Sequence, residues 1–357
     1  MKKSTQNLCT LCFALSISAC SFNQPDTTAL KVVKQGNFAA GGKTIQSEGN
    51  FDGKQIFNPQ GQTLHGDHAS VFYQIPEYAK QYPLVFLHGA GQSAKTWGTT
   101  PDGRDGFQTI FLKKNFSVYL VDQPRRGQAG QSTIPSQVPA TTNDQAWFNM
   151  FRLGQYPKFF HGVQFSQEPE ALNQYFRQMT PNTGAYDEQV ISGAMVEVLK
   201  KSGNAVLITH SQGGGPGWWT AIKSNQVKGI VAYEPGSGFV FPENDMPEPM
   251  PSLTGTLAPT PVKITDFQKL TKIPIIIYYG DNIPTEASAN PGQDNWRVRL
   301  KMAQLWVNKI NQYGGNAQLV HLPDLGIYGN THFAFSDLNN LQISDLLSQW
   351  LQENHLN

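Results

Sequence analysis

Hydrophobic positions along this chain fall into short, dense runs separated by polar and turn-forming stretches. Residues 84–87, 117–121, 205–209, 229–233, 273–279 and 318–322 are such runs, rich in Val, Ile, Leu and Tyr. Runs of this length and content predict strands buried on both faces of a parallel sheet. Between them the period changes. Over 296–310, Val298, Met302, Leu305, Trp306 and Ile310 recur at helical spacing, and over 338–351 Leu338, Leu341, Leu346, Leu347 and Trp350 do the same. Upstream, alternating segments at 43–51 and 69–75, separated by glycine-rich turns, predict an antiparallel hairpin or meander. Strands alternating with helices place the chain in the α/β class, with a mostly parallel central sheet flanked by helices.

Two stretches break the rhythm. Residues 133–188 carry Trp147, Phe148, Phe151, Phe159, Phe160, Phe165, Tyr175 and Phe176. This is too long for a plain connection and predicts a helical cap inserted into a main domain spanning 41–357. Residues 236–268 are proline-rich and predict an irregular loop over one end of the sheet. A hydrophobic content of 39% supplies a core, while charged residues are only 15%, against about 25% in a typical soluble protein. The 27 Lys and Arg nearly cancel the 26 Asp and Glu, which leaves no basic field for nucleic acid.

All three cysteines, Cys9, Cys12 and Cys20, lie in the first twenty residues. Lys2 and Lys3 precede a short apolar stretch that ends in Ile17-Ser18-Ala19-Cys20. That stretch is too short for a transmembrane helix and reads as an export signal over residues 1–19. Ile-Ser-Ala-Cys resembles the lipobox of bacterial lipoproteins, which implies lipid on Cys20. With Ser21 next, it also implies the outer membrane of a Gram-negative bacterium. An ordinary cleaved signal and a periplasmic or secreted protein is the alternative. Residues 20–40 read as a tether.

The strongest chemical signal is the apolar run that ends in Thr209-His210-Ser211-Gln212-Gly213 and leads into a helix opening near Pro216. A serine on so tight a strand-to-helix turn is a nucleophile elbow, whose usual signature is G-x-S-x-G. Gly213 fits and Thr209 does not. A second run ends in His88-Gly89-Ala90-Gly91, small residues that let backbone amides face a ligand. The amides of Ala90 and Gln212 would then stabilise an oxyanion.

In this fold the base follows the serine, leaving His321, His332 and His355. His321 lies in a strand and His355 in the tail, so His332, between the last strand and last helix, is the candidate base. His210 should point behind the elbow, and His65 and His68 decorate the hairpin rather than bind metal. Glu234 and Asp281 both follow strand ends and stay nearly even as the orienting acid. Of Trp218 and Trp219, just inside the elbow helix, at most one should face the core.

Beyond the single residues, the chain resembles the secreted bacterial carboxylesterases of the α/β-hydrolase superfamily. Tyr73-Gln-Ile-Pro76, His88-Gly89, the segment from Thr96 to Gly103, Val121-Asp-Gln123, His210-Ser-Gln212, Glu234-Pro-Gly236, Gly329-Asn-Thr-His332 and Asn339-Asn-Leu-Gln342 carry the resemblance in order. It implies an α/β-hydrolase fold with Ser211 as nucleophile, His332 as base, Glu234 as acid, Ala90 and Gln212 as oxyanion donors, and no cofactor. Relatives can carry adjacent cysteines where this chain has Ala90-Gly91, so no disulfide stiffens that loop. The expected partner is a small ester with apolar or aromatic groups. An amidase or peptidase with the same triad, or a noncatalytic surface lipoprotein on the same scaffold, are the competing expectations.

Overall fold

A computed structural model describes residues 29–357. The expected export signal, Cys20 and the first part of the tether lie outside the described residues. Residues 31–357 fold as one unit around an eight-stranded sheet. Its strands are β1 (Val32–Gln46), β2 (Thr63–Pro76), β3 (Leu84–Leu87), β4 (Val118–Asp122), β5 (Ala205–His210), β6 (Val227–Tyr233), β7 (Pro274–Tyr279) and β8 (Asn316–His321). They lie in the order β1-β2-β4-β3-β5-β6-β7-β8. The β1–β2 and β2–β4 pairs are antiparallel and all the others parallel.

Eight helices connect and cover these strands: α1 (Phe107–Lys113), α2 (Asp144–Met150), α3 (Pro169–Arg177), α4 (Glu188–Ser202), α5 (Gly214–Lys223), α6 (Ile264–Leu270), α7 (Pro291–Gln312) and α8 (Asn340–Glu353). α1 packs against α8, while α4 lies along α5 and reaches β1 and β2. Because helices cover the sheet, every residue of β3, β4 and β5 is buried. The longer helices start where the sequence supplies caps. The Asp187 carboxylate accepts the amides of Gln189 and Val190 at the head of α4. Asn290 does the same for Gly292 and Gln293 ahead of α7, with Pro291 in the first helical position. Trp218 on α5 is fully buried against Trp306 of α7, with ring centroids 4.4 Å apart, whereas Trp219 is only half-buried.

The six expected core strands are present within a residue or two of their expected ends. Three expectations need correction. Strand β1 begins at Val32, inside the stretch assigned as tether to residue 40. Most of its side chains face solvent, so it carries little hydrophobic signal. It is held by a backbone ladder to β2 from Lys34 to Gln46, interrupted only opposite Asp67, with Phe38 packed on Tyr73 and Tyr119. The insertion holds α2, α3 and a tiny Gly154–Gln155/Lys158–Phe159 ribbon among irregular segments, so only part of it is helical. The proline-rich stretch contains a Met250–Ser252/Gly255–Leu257 ribbon and a parallel Val240–Pro242/Thr260–Val262 pair.

Among the described residues no helix is long and apolar enough to cross a membrane. Trp306 also donates its indole N–H to the Val240 carbonyl at 2.8 Å. Trp306→Ala is therefore expected to cost about 3–5 kcal/mol of stability, measured by urea unfolding; a loss below about 1 kcal/mol would contradict this packing.

Candidate active site

Strand β5 delivers its last residues to one end of the sheet and turns at once into helix. Ser211 takes a left-handed backbone conformation, φ 53°, at the start of the turn Ser211–Gly213. A non-glycine residue held there is strained, and here the neighbours impose it. A Cβ at Gly213 would stand 2.7 Å from the His88 carbonyl oxygen, and one at Gly89 would stand 2.6 Å from Ser211 Cβ. Thr209 occupies the position where the usual signature has glycine. The space it needs comes from Gly217, one turn into α5, where a Cβ would lie 2.8 Å from Thr209 Cγ2. The missing glycine has in effect moved to the facing helix.

Glu234 leaves the end of β6, also at positive φ (46°), and its carboxylate is buried. Oε2 lies 2.5 Å from His332 Nδ1, and Oε1 accepts the Gly280 amide at 2.6 Å. Arg152, from the insertion, grips the same carboxylate with both terminal nitrogens, Nη1 at 2.9 Å from Oε2 and Nη2 on Oε1. Burial opposes the charge on Glu234, but Arg152 and the His332 hydrogen bond prevail and hold the carboxyl at about 2. An ionised Glu234 makes His332 Nδ1 the protonated nitrogen. His332 Nε2 is then the free base, and it is buried with no hydrogen-bond partner among the described residues.

The His332 ring is fully buried between Trp296, at a centroid distance of 4.1 Å, and Phe151, stacked at 4.6 Å. Burial pulls its pKa down to about 4; Glu234 opposes that shift and the charges of Arg152 and Arg299 add to it. The next turn brings Gly236 onto the serine. Its amide donates to the Ser211 carbonyl at 2.9 Å, and a Cβ there would stand 3.5 Å from Ser211 Oγ. His210 lies behind the elbow, as expected, with Nε2 donating to the His332 carbonyl at 3.0 Å.

The structure does not bring Asp281, the alternative acid, to the imidazole. Its Oδ2 accepts the Gly329 amide at 2.7 Å and its Oδ1 the Asn282 amide at 2.6 Å, so backbone donors occupy it. His321 pairs loosely with Asp324, and on β2 His65 is exposed and His68 half-buried. Among the described residues no three His, Cys, Asp or Glu side chains gather as a metal site.

Arg152 and Asp337 are buried groups that the sequence reading did not anticipate. Arg152 had one sequence signal, a charge inside the apolar Phe148–Leu153 stretch. Asp337 is buried behind His332, where it accepts the amide and hydroxyl of Thr331, both at 2.7 Å, and the Asn330 side chain at 3.0 Å. Arg104 reaches the carbonyls of Ser336, Asp337 and Leu338 and the Asn340 side chain. The segments around Thr96–Gly103 and Asn339–Gln342 thus support the loop that presents His332.

Ala90 follows His88 and Gly89 beyond β3, and Gln212 sits in the first turn after the serine, where amides lack intrahelical partners. The Gly91 carbonyl accepts the Thr180 amide at 2.9 Å, joining this loop to the insertion. Beside it opens a cleft of about 430 Å³ lined by Gly91, Val138, Trp147, Phe176, Met179 and Asn182.

The Alpha/beta hydrolase family profile matches residues 84–299, which run from β3 through the elbow into α7. The chain belongs to the α/β-hydrolase family. A solved bacterial esterase structure is 30% identical and superposes with a TM-score of 0.73, covering 92% of this chain and 98% of that one. A protein described as a probable secreted lipase, from a fungus (Fungal sp., strain ATCC 74256), is 27% identical over 331 residues, 81% of this chain and 88% of that relative.

This α/β-hydrolase buries three neutral histidines, which makes its stability depend on pH. Burial lowers His332 to about 4, His88 to about 3 and His210 well below its ordinary value. An unfolded histidine titrates near 6.5, so between about 6.5 and 4 the unfolded chain binds protons the folded one does not, and stability falls as pH falls. Asp337 has the opposite sign: burial raises it to about 7, so it favours the folded state on acidification. Glu188, also raised by burial, shares the sign of Asp337, and three groups against two still predict a net loss. The thermal midpoint should drop from pH 6.5 to 4.5, and a flat or rising midpoint in melts over that range would contradict it.

Proposed function

We propose that this chain is a serine carboxylic-ester hydrolase acting through an acyl-enzyme, with Ser211 as nucleophile, His332 as general base and Glu234 as the orienting acid. The observation that carries this reading is the buried Glu234–His332 pair, whose free Nε2 belongs to the loop packed behind the Ser211 elbow. His332 takes the proton from Ser211 Oγ as that oxygen attacks the ester carbonyl, and Glu234 stabilises the imidazolium. The oxygen of the tetrahedral intermediate meets the amides of Ala90 and Gln212. On collapse, His332 returns the proton to the departing alcohol. Water activated by the same nitrogen then releases the acid and restores the serine.

Similarity to the bacterial esterase and to the secreted lipase favours an ester over an amide as substrate. The cleft beside Gly91, with Trp147, Phe176 and Met179 on its wall, suits apolar or aromatic groups. The finer kinship, to exported carboxylesterases with a His-Ser-Gln elbow and a glutamate acid, rests on the ordered motifs and on the contacts of Glu234. Export rests on the basic and apolar leader over residues 1–19, and lipid attachment at Cys20 on the lipobox. The part of the insertion that carries Trp147 and Phe176 serves as the cap over the cleft.

Three variants test the assignment with aryl esters of increasing chain length and their matched amides. Ser211→Ala should abolish turnover and labelling by a fluorophosphonate. Glu234→Ala should lower kcat by about 10³-fold or more, whereas Asp281→Ala should cost far less. The reverse ranking would move the acid to Asp281, faster turnover of the amides would make the enzyme an amidase, and an unlabelled, well-folded wild type would leave only a scaffold. The pH profile supplies a further check. His332 must be neutral to accept the proton, and its pKa is held near 4. The acid limb of kcat/KM should therefore fall near pH 4 in brief assays, not near the 6.5 of an ordinary histidine.

A further inference from the structure

The sequence after β4 reads Gln123-Pro124-Arg125-Arg126, and its two arginines have different surroundings. Arg125 forms a two-pronged ion pair with Asp67, Nε and Nη2 each at 2.8 Å. Arg126, 3% exposed, contacts only neutral acceptors among the described residues. Its Nε donates to Asn182 Oδ1 at 2.6 Å, its Nη2 bonds the same oxygen, and its Nη1 donates to the Gly89 carbonyl at 2.7 Å. Burial lowers its pKa only to about 10, so the charge persists at neutral pH. The buried Asp122 carboxylate acts on it only at a distance, being hydrogen-bonded to the Ala94 and Gln128 amides. A buried cation with no carboxylate in direct contact is costly, and such groups gather where a charge is needed.

The acceptor is what gives this contact its meaning. Gly89 C=O and Ala90 N–H are the two ends of one planar peptide unit, and the only cis bond among the described residues is Tyr156-Pro157. In a trans unit the N–H points opposite to the C=O. The same carbonyl is approached by His88 Nδ1 at 3.0 Å. The Gln123 amide donates to His88 Nε2 at 3.2 Å, so Nδ1 carries the proton and is a donor as well. The Gly89 carbonyl thus accepts a charged and a neutral hydrogen bond. Donors on a carbonyl draw electron density from its amide and strengthen the N–H at the other end.

We propose that Arg126 is a positioning residue for ester hydrolysis, aiming and polarising the Gly89–Ala90 peptide so that the Ala90 N–H binds the developing oxyanion. The proposal rests on the serine-hydrolase reading above. In it, the arginine does not touch substrate. Its charge reaches the oxyanion through one peptide unit, and Asn182, from the insertion, fixes the guanidinium plane.

The test uses the full chain with 4-nitrophenyl butyrate as substrate and an aryl trifluoromethyl ketone as inhibitor. In the inhibited enzyme, Ser211 Oγ bonds the ketone carbon, the C=O π bond becomes an oxyanion, and the Oγ proton passes to His332. Arg126→Met should lower kcat by about 10–100-fold, less than or equal to the loss of a whole oxyanion donor. KM should stay within about threefold, and the inhibition constant should rise by the same factor as kcat. Arg126→Lys keeps a cation but cannot bridge Gly89 and Asn182 in one plane, and should fall between wild type and Met; it carries the test alone if Met does not fold. Unchanged kcat and inhibitor affinity in a folded variant would overturn the proposal. So would losses of kcat that follow the melting temperature while inhibitor affinity holds. If the wild type neither hydrolyses the ester nor takes up a fluorophosphonate at Ser211, the hydrolase reading itself fails, a result distinct from an active wild type insensitive to Arg126.

Discussion

The buried bridge from Arg152 through Glu234 to His332 is the interaction on which the rest of the site depends. Each of the three is essentially without solvent contact, so the carboxylate keeps its charge because a guanidinium, an imidazole N–H and the Gly280 amide replace water around it. Removing one partner from a bridge of this kind typically costs about 3–5 kcal/mol, because the other charge is left stranded. The bridge also joins parts of the chain that are far apart in sequence. Arg152 comes from the insertion, Glu234 from the end of β6 and His332 from the turn before α8. Arg152 Nε further holds the Asp281 carbonyl, and the Phe151 carbonyl accepts the His332 amide at 3.1 Å. This part of the insertion is therefore built into the site, whereas the segments lining the open cleft are more exposed.

Much of the fold was legible in the chain because a strand covered on both faces writes its burial as an unbroken apolar run. β3, β5, β6 and β7 are of this kind. Strand β1 is at the sheet edge and is held mainly by backbone bonds, which leave no trace in side-chain pattern. Ser211 and His332 could be picked out as candidates from the order in which strands, turns and small residues follow one another. Choosing Glu234 over Asp281 could not, because both leave strand ends and differ only in which donors reach them. Resemblance to a family favoured Glu234; in the structure it is Glu234 that meets His332, while the Asp281 carboxylate is occupied by two backbone amides.

Arg126 and Arg152 were hardest to see for the same reason. Each acts on a group distant in sequence, Gly89 in one case and Glu234 in the other, and composition records a charge but not its neighbour. The supporting shell around His332 was equally hidden. Arg104 and Asp337 work largely through backbone carbonyls and amides, whose identity does not vary with sequence, and Asn330 binds the Asp337 carboxylate with its own side chain.

The exchange of bulk between Thr209 and Gly217 has a consequence for how such elbows diverge. The two positions share one small volume, so a side chain can grow at the helix only after the strand residue has shrunk. A lineage returning to the common glycine signature would have to pass through a pair of glycines, with a void between strand and helix. That order of steps ties the history of one position to the other.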